Sequence, residues 1–132
     1  MADSILPLAL DPLVAPILGE DPRGTDLWRL EVKDRLDEAR KEVVSYEKGA
    51  GLLTRPRVET PGKWEMIIRE GQECLREKSK DLNVASRLVE ALLKHRDPNR
   101  SYQPFLGLAE GLTLVRRLVE EAWDRIYPSI DD

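Results

Sequence analysis

Between residues 79 and 95 the chain reads SKDLNVASRLVEALLKH, and its apolar positions are Leu82, Val84, Ala85, Leu88, Val89, Ala91, Leu92 and Leu93. On a helix of about 3.6 residues per turn these cover most of the circumference. Asn83, Arg87, Glu90 and Lys94 are left as a narrow polar stripe. A helix with so little polar surface needs cover on at least two sides, so it is predicted to be central. Ser79 is expected as its N-cap, and Asp81 in the first turn sets a negative charge against the positive end of the helix dipole.

The pattern predicts three more helices. The first runs from Thr25 or Asp26 to Lys48, with Trp28, Val32, Leu36, Ala39, Val43 and Tyr46 recurring at steps of four and three as one seam. Glu31 with Arg35, and Asp37 with Lys41, are i,i+4 pairs on its wet side. The second starts at Thr60 as N-cap and Pro61 as first helical residue, and ends near Glu77. Its apolar face is Trp64, Ile67, Ile68, Gly71, Cys74 and Leu75. The last runs from Pro104 to Tyr127, where Phe105, Leu108, Leu112, Val115, Val119, Ala122 and Ile126 alternate steps of three and four without a slip. That regularity assigns them to the core, with Trp123 beside them. Gly107 and Gly111 lie one turn apart on the same helix. A helix-interior glycine costs ~1 kcal/mol relative to alanine, so the pair implies that another backbone passes close.

Prolines 7, 12, 16 and 22 break the first 24 residues into an extended arm, with one short turn around Pro7 to Leu10 and residues 14–18 packed along the bundle. Residues 49–60, GAGLLTRPRVET, lose the helical pattern and read as a loop. The predicted fold is all-α: a mostly antiparallel bundle of four main helices with an extended Pro-rich N-terminal arm. Residues 1–132 form a single domain, with the arm at 1–24 and the bundle at 25–128.

Composition narrows the function. The net charge is −4 with both signs interspersed, and a nucleic-acid binder needs a concentrated basic face. No apolar run approaches the ~20 residues that span a bilayer. One cysteine excludes an internal disulfide and fits a reducing compartment, so the cytoplasm is expected. One histidine and one cysteine leave nothing for a zinc or di-iron site, and no cofactor or catalytic residue is assigned. Cys74 reads as a small apolar residue and His95 as a helix-end residue. The segment GAG lacks the lysine and Ser/Thr of a phosphate loop. In residues 49–60, Leu52, Leu53 and Val58 sit beside Arg55 and Arg57. Apolar anchors with arginine are what interface hot spots favour, which makes these five the candidate protein-interaction residues. The competing reading folds the leucines back over the helix ends.

Four segments together resemble one family. They are APILGEDPRGTDL, the tryptophan-led helix followed by SKDL, FLGLAEGLTLV, and AWDRIYP, in which Ala122 stands where the family has an aromatic residue. In this order they resemble the ImpA-related N-terminal domain of TssA-like components of the bacterial type VI secretion system, over residues 14–130. The resemblance implies a cytoplasmic, non-enzymatic assembly protein that helps to organise the baseplate and the contractile sheath-tube tail. Its partners would be other baseplate and sheath-tube components, with homo-oligomers formed through a further C-terminal region of the full-length protein. On that reading this chain is a fragment or a short relative. Ser79 and Asp81 are then a helix cap, Gly107 and Gly111 close-packing points, and Trp123 part of the core. Residues 49–60 match none of these motifs, so the resemblance implies no partner-binding role for them. A generic helical adaptor without a secretion role is the alternative; an enzyme using carboxylates assembled by folding is a third reading, and a deep polar pocket with shifted acids would mark it.

Overall fold

The computed structural model describes residues 5–47, 55–97 and 101–128. Its helices are α1 (Leu10–Val14), α2 (Glu31–Ala39), α3 (Trp64–Glu77), α4 (Leu82–Lys94) and α5 (Pro104–Glu121), and between α2 and α3 stand two strands, β1 (Val43–Glu47) and β2 (Arg55–Thr60). Single 3-10 turns at Leu27–Arg29 and Trp123–Arg125 precede α2 and follow α5. The fold is a helical bundle, as the apolar periodicity predicts.

The central position predicted for α4 holds. It lies between α3 and α5, and Val84, Ala85, Leu88, Ala91 and Leu92 are buried. α2 packs on α3 and reaches α4 through ion pairs, and α1 closes the assembly against α3 and α5. The arm is therefore not extended throughout. Pro12 sits in the first turn of α1, where a missing N–H removes no helical hydrogen bond. Leu13, Val14 and Ile17 are buried, whereas Leu18 stands in solvent.

The long first helix is corrected to a short one. Val32, Leu36 and Ala39 form the buried seam of α2, but the helix stops at Ala39, whose carbonyl accepts the N–H of Lys63 at 2.7 Å. Val43 and Tyr46 belong to β1, which pairs antiparallel with β2 in the register Val44↔Val58, Ser45↔Arg57, Tyr46↔Pro56 and Glu47↔Arg55. β-branched and aromatic residues at 43, 44, 46 and 58 favour extended backbone. Pro56 is tolerated because a two-stranded sheet consists of edges. Thr60 is consequently the last residue of β2 and not a helix cap, and α3 starts three residues after Pro61. The wet face of α2 also does more than meet solvent: Arg40 donates to both carboxylate oxygens of Glu90 on α4, at 2.9 and 3.0 Å.

The largest correction concerns α5. Its buried line is Gly107, Gly111, Leu114 and Leu118, one face round from the predicted seam, of which Ala122 and Ile126, beyond the end of the helix, are buried as expected. Phe105 is 81% exposed, Leu112 54% and Trp123 53%, and Val119 is exposed as well; Leu108 and Val115 are half-buried. The helix has two apolar faces, and α4 covers one of them. The glycine face wins because it lets α5 settle against α4: a Cβ on Gly111 would lie 3.0 Å from Val89 Cγ2 and 3.3 Å from Leu92 Cδ1, and one on Gly107 only 2.8 Å from the Leu92 carbonyl oxygen. Close approach brings more atoms into van der Waals range, and each contact adds a little attraction.

Candidate functional site

The family-like segments meet in space around residues 78–82. Thr25 donates its N–H to the Lys78 carbonyl at 2.7 Å, and Lys80 donates its own to the Arg23 carbonyl at 2.8 Å. On the other side Tyr127 donates to the Lys80 carbonyl at 2.7 Å, and Leu82 donates to that of Tyr127 at 2.9 Å. PRGTDL, SKDL and DRIYP are thus three short runs of backbone hydrogen-bonded side by side. Gly24 is required there, since its φ is +79° and a Cβ would run into the Lys78 carbonyl. The guanidinium of Arg23 lies 4.7 Å above the Tyr127 ring and holds the Asp21 carboxylate with its Nε at 3.2 Å. That bond keeps the Asp21 carboxyl below its ordinary range.

At the centre of this node Lys80 is 1% exposed. Its Nζ donates to the carbonyl oxygens of Leu75 at 2.6 Å, Leu13 at 2.7 Å and Pro12 at 3.3 Å. These carbonyls stand at the C-terminal ends of α3 and α1, where helices leave acceptors unpaired. Burial, and then the positive charge of Arg125, push the amine down to about 8. The three carbonyls act the other way, because only an ammonium has three N–H groups to give them. No spacing rule marked Lys80: it stands between the two residues expected to form a cap, and its role depends on the arm folding back.

The cap itself is corrected. Asp81, not Ser79, occupies the N-cap of α4, and its carboxylate accepts the Asn83 N–H at 2.7 Å. Burial raises the Asp81 carboxyl against that bond. Ser79 is fully buried and its hydroxyl has no hydrogen-bond partner among the described residues. Trp123, expected in the core, lies on the surface. Cys74 is buried beneath the node and its thiol is raised to about 11 by burial, which keeps it protonated and unreactive. His95 meets Tyr102 edge-on at 4.7 Å.

Of the five candidate interaction residues, Leu52 and Leu53 lie outside the described residues. Arg55, Arg57 and Val58 stand on β2, opposite Glu47, Ser45 and Val44. What the sequence pattern missed is the outward face of α5, where Phe105, Leu112 and Val119 repeat every seven residues beside Leu108 and Val115. The signal was present, but a regular seam is read as core by default. Among the described residues no group of three or more His, Cys, Asp or Glu is placed to hold a metal, and no helix is long and apolar enough to cross a membrane.

A helical bundle closed by its own arm through a buried lysine defines the class of domain. The chain belongs to the ImpA N-terminal family of the type VI secretion system, whose sequence pattern matches residues 14–132. It is 37% identical over 119 residues to the type VI secretion system component TssA1 of Pseudomonas aeruginosa, an alignment covering 90% of this chain and 31% of that protein. It also superposes, with a TM-score of 0.70 and 28% identity, on the N-terminal domain including the conserved ImpA_N region of the TssA component from Burkholderia cenocepacia. That match takes in all of this chain and 45% of the solved one, so the chain spans less than half the length of each relative.

Proposed function

We propose that this chain is a non-enzymatic assembly and docking domain of a type VI secretion component, acting in the cytoplasm as one unit of arm and bundle and helping to organise the baseplate and the sheath-tube tail. The observation that carries the reading is the outward face of α5. Phe105, Leu112 and Val119 put apolar side chains into solvent along one line of a helix whose other face is already packed, and Trp123 in the 3-10 turn after it is exposed as well. Exposed apolar strips of this kind mark protein contacts, and a seven-residue repeat is the spacing a second helix reads. The occupant proposed is an amphipathic helix of a baseplate or sheath-tube component. The reading also draws on the family's place in the type VI secretion system.

The test is Leu112→Asp with Val119→Asp, introduced into the gene of the bacterium that carries it, with a fluorescent sheath subunit as readout. Both residues are exposed, so the variant should fold and accumulate normally while sheath assembly is lost. Normal sheath assembly and secretion in the folded variant would remove the docking role and leave the generic adaptor.

A further inference from the structure

Where α3 begins and α4 ends, the surface opens into a groove of about 570 Å³, lined by residues that include Pro61, Lys63, Met66, Arg69, Lys94 and Arg96. Its floor is apolar. Trp64 lies in it with Lys94 Nζ 5.0 Å above the ring, and Met66 and Pro61 line the groove as well. Its rim is cationic: Lys63, Arg69, Lys94 and Arg96 face a single lining carboxylate, Glu65. Lys94 has a partner in Glu42 at 3.6 Å. Arg96 turns its guanidinium to the carbonyls of Leu93 and His95, which consumes donors and leaves the charge. Among the described residues neither Lys63, Arg69 nor Arg96 has a carboxylate in ion-pair range. In a chain whose net charge is −4, such a concentration of one sign is local, and among the described lining residues four cations stand against the one carboxylate of Glu65.

We propose that this groove binds an acidic peptide segment of a partner protein, with an apolar side chain over the Trp64–Met66 floor and carboxylates on the Lys63, Arg69 and Arg96 rim. Carboxylates answer the rim in charge, and arginine in particular pairs with them in two-point geometry. A nucleic acid fits less well. Its evenly spaced phosphates need a basic stripe longer than one groove. The groove lies at the α3–α4 end and does not include the outward α5 face, so the two surfaces stand or fall separately.

The experiment uses the chain and short fluorescein-labelled peptides in an anisotropy titration at low salt. One peptide alternates glutamate and aspartate around a phenylalanine; the second has lysine in place of every acid; the third has serine in place of the phenylalanine. A single-stranded DNA oligomer is the fourth probe. The acidic phenylalanine peptide should bind saturably, more weakly as salt is raised, and the lysine peptide should not bind. Lys63→Glu with Arg69→Glu should weaken it at least about tenfold while the circular dichroism spectrum stays unchanged; Lys63→Ala with Arg69→Ala, a milder pair, should weaken it in the same direction. Absence of binding, equal binding by the folded variants, equal binding of the serine peptide, or preference for DNA would each overturn the proposal.

Discussion

The ammonium of Lys80 lies 2.7 Å from the carbonyl oxygen of Leu13, across 67 residues of chain, and fastens the end of the N-terminal helix to the turn that starts the central one. The same nitrogen holds the end of α3 through Leu75. One side chain therefore satisfies acceptors on two helices and fixes the arm against the bundle.

Lys80→Met keeps most of the stem volume and removes the donors. The Leu13 and Leu75 carbonyls are then buried without partners, and each orphaned polar group costs ~1–3 kcal/mol, partly offset because an isolated charge no longer has to be buried. A net loss of about 2 kcal/mol is expected in urea unfolding. Limited proteolysis should cut the arm of the variant before the bundle. A variant as stable as the parent, with its arm equally protected, would show that the lysine fastens nothing.

The same residue sets a pH dependence. The folded amine loses its proton near pH 8, below its ordinary value of 10.5. Between these values the unfolded chain holds more protons than the folded one, so stability contributed by this group rises with pH. Below about pH 8 both states are charged and the burial penalty is present in full; above about 10.5 both are neutral and the difference levels off. Parent and Lys80→Met, unfolded in urea across this window, should diverge in the parent's favour. A constant gap between them would place the folded pKa at its ordinary value.

At the start of α4, Asp81→Ala should cost ~1 kcal/mol, the usual value of an N-cap. Ser79→Ala should cost little or be mildly stabilising, since it removes a buried hydroxyl without a hydrogen-bond partner among the described residues. Thermal melts of the two variants check this directly; the reverse order of effects would return the cap to Ser79.

Gly111→Leu puts a branched side chain where a single Cβ already meets Val89 at 3.0 Å. Overpacking of this kind costs ~1–3 kcal/mol. Leu112→Ala, one residue away on the exposed side, should stay within about 0.5 kcal/mol. If both variants melt like the parent, α5 does not rest on α4 through its glycines.

Much of this was legible in the chain. Apolar residues on nearly all sides of residues 82–93 required α4 to be covered on two flanks, and the glycine pair at 107 and 111 required a near neighbour, because both follow from composition at fixed helical spacing. The proline spacing announced an arm that could not join the bundle as a long helix. Residues 43–47 were less legible, since Val43 and Tyr46 continue a helical seam as well as they make a strand, and only pairing with residues 55–60 settled it.

Local periodicity located the helices at 64–77, 82–94 and 104–121 and determined which of them is central. It did not determine which apolar face of α5 turns inward, because a seam of Phe105, Leu112 and Val119 and a seam of Gly107, Gly111 and Leu114 are equally regular. That choice belonged to α4, whose surface admits the glycine side at shorter range. Nor could spacing show that Lys80 is buried. A lysine beside a helix start reads as solvated until the carbonyls of Pro12, Leu13 and Leu75 are brought round it, and those partners come from two different helices, one of them in the N-terminal arm, that meet only in the folded chain.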